Sequence, residues 1–217
     1  MNRDDTHRIT ELLCSHLCHE LISPVTAVNN GLELIGTGNG GMEAEAIELT
    51  RNSAAEASKR LQFYRLAYGQ AGGFDAARGL IEARELSKGL LAGSKIALSW
   101  SDSGVTGSEI GKPGVKLLLN LVALAREALP RGGTIAVALG GAPGFECTVA
   151  ARGAGARLTP EVQAAMDKSA SVEGLTPRTI HAYLVAAIAR RLGIALAVDS
   201  GEPDQVTFRV KLPSPDV

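Results

Sequence analysis

Along the first part of the chain, apolar residues recur every three or four positions, at Ile9, Leu13, Leu17, Leu21, Val25, Val28, Leu32 and Ile35. That spacing is one face of a 3.6-residue turn and predicts a long amphipathic helix from about Arg8 to Ile35. Gly36-Thr37-Gly38-Asn39-Gly40-Gly41 cannot propagate it and supplies a tight connection instead. In the next segment Ile47, Ala54, Leu61 and Tyr68 stand seven apart, with Thr50, Ala57 and Tyr64 between them, approximating a heptad seam. Two such helices make an antiparallel hairpin that cannot bury both apolar stripes alone. Two copies can, so the pattern predicts a four-helix bundle in a homodimer.

After Gln70-Ala71-Gly72-Gly73 the long period gives way to shorter segments, which divides the chain into a helical hairpin, 1–72, and a second domain, 73–217. Helices are expected over Arg78–Leu91 and Pro113–Leu129, the proline sitting where a first turn tolerates it. Strands are expected over Lys95–Ser101, Thr134–Leu139 and Phe145–Ala150, the last two joined as a hairpin through Gly140-Gly141-Ala142-Pro143-Gly144. Thr159-Pro160 and Thr176-Pro177 each offer an N-cap followed by proline, and so predict two further helices. Ile194–Ser200 and Gln205–Leu212 alternate as strands around Gly201-Glu202-Pro203-Asp204. The fold class is therefore α+β: a helical hairpin followed by an α/β sandwich with a mixed sheet.

Composition narrows the functions that fit. The chain has 217 residues, 45% of them hydrophobic, which suffices for real cores. A formal net charge of -1, with both signs interspersed, gives no basic surface for nucleic acid. No stretch approaches the roughly 20 apolar residues of a membrane span, and the first residues are charged, so a cytoplasmic protein is expected. Cys14, Cys18 and Cys147 are an odd set in a chain that needs no disulfide staples, which favours a reducing compartment.

The chemistry concentrates in His19-Glu20-Leu21-Ile22-Ser23-Pro24-Val25. With Leu17 in the middle of the apolar stripe, His19 falls about 200° away and faces water. Arg8, Ser15, Ser23, Thr26 and Asn30 share that polar face. A surface histidine is usually just solvated, but this one has a context. His-Glu-Leu-x-Ser-Pro resembles the phosphoacceptor box of bacterial sensor histidine kinases. By that resemblance His19 Nε2 is the nucleophile, Glu20 orients or deprotonates the imidazole, and Pro24 bends the helix beside the site.

The second domain carries only shadows of a kinase's nucleotide boxes. Leu117-Leu118-Leu119-Asn120-Leu121-Val122-Ala123-Leu124-Ala125 resembles the asparagine box, yet Leu124 occupies the place of its Mg²⁺-coordinating asparagine. Leucine cannot bind a hard cation. Ala151-Arg152-Gly153-Ala154-Gly155 resembles the Asp-x-Gly-x-Gly box, with both glycines present and Ala151 replacing the aspartate that holds adenine. The segment Gly174–Tyr183 lacks the glycines of a phosphate cradle. A kinase-like fold, Bergerat-like in its α/β sandwich, is thus expected without its nucleotide.

Most of the chain is similar to the dimeric ChpT-type histidine phosphotransferases of alphaproteobacterial phosphorelays, and Asn29-Asn30-Gly31-Leu32-Glu33-Leu34 fits that likeness. The resemblance implies that His19 accepts phosphoryl from the receiver aspartate of a hybrid histidine kinase and passes it to receiver domains of response regulators. No cofactor is implied on this chain, and Mg²⁺ comes with the receiver. Leu12, Ser15, Ile22, Ser23 and Thr26 are then expected to form the partner-binding rim around His19, with docking there mattering more than a base at Glu20. Two other readings remain: an ATP-dependent sensor kinase with a divergent site, and a non-enzymatic scaffold that binds receivers.

Other features are read as structural. His16 lies nearer the apolar edge and is expected to pack, and His181 to cap or pack. Cys14 and Cys18 are one turn apart, but His19 points away from them and a fourth ligand is lacking, so no metal site is expected. Gly153 and Gly155 alone are too weak a motif for a phosphate loop.

Overall fold

The computed structural model describes residues 3–36, 42–69, 79–102, 105, 107–140 and 145–212. The first apolar stripe folds as α1, Arg3–Gly36, starting five residues before the periodicity does, with Asp4 and Asp5 in a first turn whose dipole favours acids. α2 spans Glu43–Tyr68. Gly31 lies against Ala46 and Thr50 while Glu20 meets Arg60 and Tyr64, so the two helices run antiparallel. The expected connection at residues 37–41 lies outside the described residues.

The seam between them is one position out of phase with the expected heptad. Covered positions at Ala46, Thr50, Ser53, Ala57, Arg60, Tyr64 and Ala67 alternate four and three apart along α2, with Phe63 and Leu66 buried as well toward its end. Thr50, Ala57 and Tyr64 belong to the predicted seam, but Ile47 and Leu61 are 51% and 54% exposed, and Ala54 is exposed too. Small side chains explain the shift. A Cβ on Gly31 would stand 2.2 Å from Thr50 Oγ1, so the backbones approach on their smallest residues and leave the bulky ones outside. On α1 the same phase leaves Val25 and Leu32 in solvent.

The second unit runs α3 (Gly79–Leu91), β1 (Ile96–Ser101), α4 (Gly107–Glu127), β2 (Gly133–Gly140), β3 (Phe145–Arg152), α5 (Pro160–Met166), a 3-10 turn (Val172–Gly174), α6 (Ile180–Arg191), β4 (Leu196–Asp199) and β5 (Gln205–Leu212). The strands form one sheet in the order β1-β2-β3-β5-β4. β1 and β2 are parallel and the other neighbours antiparallel, which makes the mixed sheet expected. Register aligns buried residues in rows: Ile135, Ala151 and Val206; Val137, Val149 and Phe208; Leu139, Cys147 and Val210. α4 packs against this apolar side, and α3 and α6 pack against α4, giving a two-layer sandwich.

Two helix starts in the second unit differ from the pattern. α4 begins at Gly107 rather than Pro113, but Gly111 at φ 61°, ψ 172° breaks it, and Pro113 opens the regular part as predicted. Thr176-Pro177 does not start a helix. Residues 177–179 form a turn in which Thr179 Oγ1 accepts from the Thr176 amide at 2.9 Å, and α6 follows from Ile180. At Thr159 the cap is as expected, its hydroxyl accepting from Val162 N with Pro160 next in line.

The hairpin is not a separate body. Phe63, Tyr64, Leu66 and Ala67 enter the same apolar core as α4. Asn120 Nδ2 donates to Ala67 O at 2.9 Å, and Lys116 Nζ to Tyr68 O and Gly69 O at 3.3 and 2.8 Å, so α4 satisfies the otherwise orphaned carbonyls at the end of α2. The expected boundary near residue 72 lies outside the described residues. Because the α1–α2 approach depends on Gly31, Gly31→Val is expected to lower stability by about 1–3 kcal/mol through overpacking. Thermal melts of the two proteins check this, and an unchanged midpoint would remove the close approach as a constraint.

Candidate functional site

His19 stands exposed on α1, at the edge of a pocket of about 640 Å³ lined also by His16, Glu20, Glu127, Thr176, Pro177 and Arg178. The turn before α6 forms the opposite wall. That wall is tied to α1 at two levels. Arg8 donates from Nε to Val172 O at 3.0 Å and from Nη2 to Glu173 O and Leu175 O at 2.9 and 3.3 Å. One turn before His19, His16 Nδ1 lies 3.3 Å from Pro177 O. Arg178, exposed on this wall, lines the pocket, and sequence reasoning did not single it out because it is 159 positions from His19.

The proposed rim divides. Ile22 is 63% exposed, and Ser23 and Thr26 are exposed beside it. Ser15 is half-buried, and Leu12 packs against the hydrophobic core, because α1 lies on the second unit along its first turns. Leu12 therefore serves as an anchor of the helix more than as open surface.

Glu20 turns inward. Its Oε2 accepts from Arg126 Nη1 at 2.6 Å and from the Tyr64 hydroxyl at 2.9 Å, and lies 3.6 Å from Arg60 Nη1. Arg60 Nη1 also donates to the Glu20 carbonyl at 2.6 Å, while its Nη2 is held by Glu56 at 2.5 Å. Burial raises the carboxyl's pKa, but the charge and hydrogen bond of Arg126, then Tyr64 and Arg60, outweigh it and hold the pKa below the ordinary value. The carboxylate expected to act on His19 is committed to a cluster joining α1, α2 and α4. A base role would require it to leave that cluster.

Behind the pocket lies a second group. His181, fully buried on α6, has Nδ1 2.5 Å from Glu127 Oε1, and His16 Nε2 lies 4.0 Å from the same oxygen. Burial first, and then the neighbouring His181, lower the pKa of His16 against the opposing pull of Glu127, Glu20 and the Pro177 carbonyl. Both histidines pack, as expected, but they pack on each other, with ring centroids 5.3 Å apart.

The positions matching the nucleotide boxes are filled from within. Asn120, Leu124 and Ala151 are fully buried, and Ala151 pairs with Ile135 and Val206 in the sheet. The two glycines of the box have structural reasons to be there. A Cβ on Gly153 would stand 2.2 Å from Gly132 O, and Gly155, at φ +76°, donates its amide to Asp204 Oδ1 at 2.6 Å. Leu124 offers no oxygen to Mg²⁺ and Ala151 no acceptor to adenine.

This combination, an open histidine on a docked helix and a second unit whose nucleotide positions are core, is that of a phosphotransfer protein. Residues 80–204 match the histidine phosphotransferase C-terminal domain family. The chain belongs to the histidine phosphotransferases, enzymes that carry phosphoryl groups in phosphorelays. It is 34% identical over 198 residues to protein phosphotransferase ChpT of Brucella abortus (strain 2308), covering 90% of this chain and 91% of that one. A solved bacterial phosphotransferase superposes with a TM-score of 0.81 at 30% identity, over 97% of this chain and 98% of that one. The histidine kinase AdeS of Acinetobacter baumannii superposes with a TM-score of 0.46 at 12% identity, over 91% of this chain and 98% of that one.

The Glu20 cluster yields a pH prediction. A carboxyl whose folded pKa is depressed contributes stability above its unfolded pKa, about 4.3, that is lost as pH falls through the folded value. Glu20→Gln is expected to cost on the order of 2 kcal/mol at pH 7, less than the about 3–5 kcal/mol of a fully buried pair. Melts at pH 7 and at about pH 3 should show the gap between variant and parent closing in acid. A gap that stays constant would mean that the Glu20 charge contributes nothing.

Proposed function

We propose that His19 is the phosphoryl acceptor, receiving the group from the aspartate of a hybrid kinase's receiver domain and passing it to receivers of response regulators. The observation that carries this reading is the exposed His19 sharing its pocket with Arg178, beside the exposed Ile22 and Ser23. A neutral imidazole carries a free lone pair, and in that form Nε2 attacks phosphorus directly. The N–P bond forms as the acyl O–P bond breaks, and the receiver's carboxylate leaves. The downstream step runs the same exchange in reverse. Mg²⁺ belongs to the receiver, and the Arg178 guanidinium balances the charge gathering on the phosphoryl oxygens.

Positioning is what the chain itself supplies. The second unit is a kinase-type ATPase-like fold without its ligand, serving as the platform for α1. Buried Leu124 and Ala151 argue against the sensor-kinase reading. Three free cysteines suit the reducing cytoplasm, and among the described residues no helix is long and apolar enough to cross a membrane.

His19→Ala is expected to keep its melting point and accept no label from a phosphorylated receiver. Parent protein given ATP and Mg²⁺ should stay unlabelled. In the same assay Ile22→Asp should slow transfer at least about tenfold by disrupting an apolar docking contact, the loss of one such hot spot being worth about 1.4 kcal/mol. Label on His19→Ala would move the acceptor elsewhere.

The exposed Val25, Leu32, Ile47 and Leu61 support a homodimer in which two hairpins close a four-helix bundle. Sedimentation at micromolar concentration should give a dimer for the parent and a monomer for Ile47→Glu/Leu61→Glu. A monomeric parent, or an unaffected double variant, counts against that bundle.

A further inference from the structure

His16, Glu127 and His181 come from α1, α4 and α6, and one ligand atom from each lies within 4.8 Å of the others. Glu127 Oε1 is central, 2.5 Å from His181 Nδ1 and 4.0 Å from His16 Nε2. Tyr68, at the end of α2, closes the group, its ring 6.4 Å from that of His16 and 5.8 Å from that of His181. In this small volume three buried atoms lack a hydrogen-bond partner: His16 Nε2, His181 Nε2 and the Tyr68 hydroxyl oxygen. Leaving a buried polar atom unpaired is costly, and three around one carboxylate mark a place built to hold something.

We propose that His16, Glu127 and His181 bind one Zn²⁺ per chain, joining α1 to the second unit one turn from His19. Two imidazoles and a carboxylate suit zinc, whereas Mg²⁺ and Ca²⁺ prefer all-oxygen sets. His16 is already oriented for ligation: with Nδ1 directed at Pro177 O, its Nε2 lone pair is free. A carboxylate Oε1–nitrogen separation of 2.5 Å must widen, and one of 4.0 Å close, toward the about 3.3 Å that tetrahedral bonds of about 2 Å require. Three protein ligands leave a fourth position for water. A cation can enter from the surface, since His16 and Glu127 line the His19 pocket and the Glu127 side chain is 27% exposed.

The ion's role is positional. Arg8 and the Glu20 cluster fix α1 to the second unit on either side of His16, and zinc fixes the point between them. The site escaped sequence reasoning because its ligands are 111 and 54 residues apart, with no metal-type spacing.

Exposed Cys14, Cys18 and His19 could bind zinc adventitiously, so the test starts from folded Cys14→Ser/Cys18→Ser protein stripped of metal. Calorimetry with Zn²⁺ should give one site per chain with micromolar or tighter affinity. Zn²⁺ at about 100 times Kd should raise the melting point by several degrees. Co²⁺ in its place should show the intense visible absorption of a four-coordinate site. Glu127→Gln and, separately, His16→Asn, each confirmed as folded by circular dichroism, should weaken binding at least tenfold. The proposal fails if the parent binds no Zn²⁺ below about 100 times micromolar, or if both folded variants bind as tightly as the parent. It fails equally if zinc affinity disappears with the two cysteines, in which case the three orphaned atoms are served by water.

Discussion

The placement of one carboxylate governs the rest of this molecule. Glu20 neighbours His19 in sequence, yet its side chain bridges Arg126 on α4, Arg60 and Tyr64 on α2. A charge less than a fifth exposed is tolerable only when its partners are fixed, and here both guanidiniums are themselves largely covered. The hairpin and the second unit are thereby held in one relation, and α1 is held at one rotation. With Glu20 facing inward, His19, about 100° away around the helix, lies on its exposed flank. The contacts of Glu20 hold α1 at the rotation in which His19 is exposed.

The same rotation accounts for the misphased heptad. Pattern alone favours Ile47, Ala54 and Leu61 as the seam because they are the large or apolar members of the sevenfold repeat. Packing chose Ala46 and Ser53 in place of Ile47 and Ala54, since backbone approach at Gly31 places small residues between the helices. Hydrophobic periodicity reports which residues avoid water in the assembled state, without distinguishing a partner in the same chain from one in another. Of the predicted seam, Thr50, Ala57 and Tyr64 lie inside the hairpin, and Ile47, Ala54 and Leu61 outside it.

The elements were legible where a local signal stated them. Alternation gave the strands of the sheet, and Thr159-Pro160 gave the start of α5 with its cap. Thr176-Pro177 carried the same local signal and misled, because the Thr179 hydroxyl closes a turn there and the Pro177 carbonyl is required by His16. His19 was legible from its neighbours. The companions of His19 were not: Arg178 and Glu127 join its pocket through tertiary folding over more than 100 residues, and no spacing rule spans that distance. Glu20 was legible as important but not as inward, since a helical wheel assigns angles and cannot say that two arginines wait on the far side.

A phosphoacceptor that takes its group from one partner and gives it to another gains little from catalytic groups of its own. What it needs is a nucleophile whose position does not change between encounters. A lone hairpin would offer His19 on a helix free to bend at Pro24, where one backbone hydrogen bond is missing. The second unit removes that freedom by gripping α1 at Arg8, at His16 and at Glu20, all N-terminal to the proline. A sandwich in which Leu124 and Ala151 are packed into the core is well suited to this, because a filled interior is stiffer than a cleft. Gly153 and Gly155 persist for the backbone's sake, one against Gly132 and one on Asp204. The filled interior supplies rigidity, and what it holds in place on the exposed flank of α1 is the His19 imidazole.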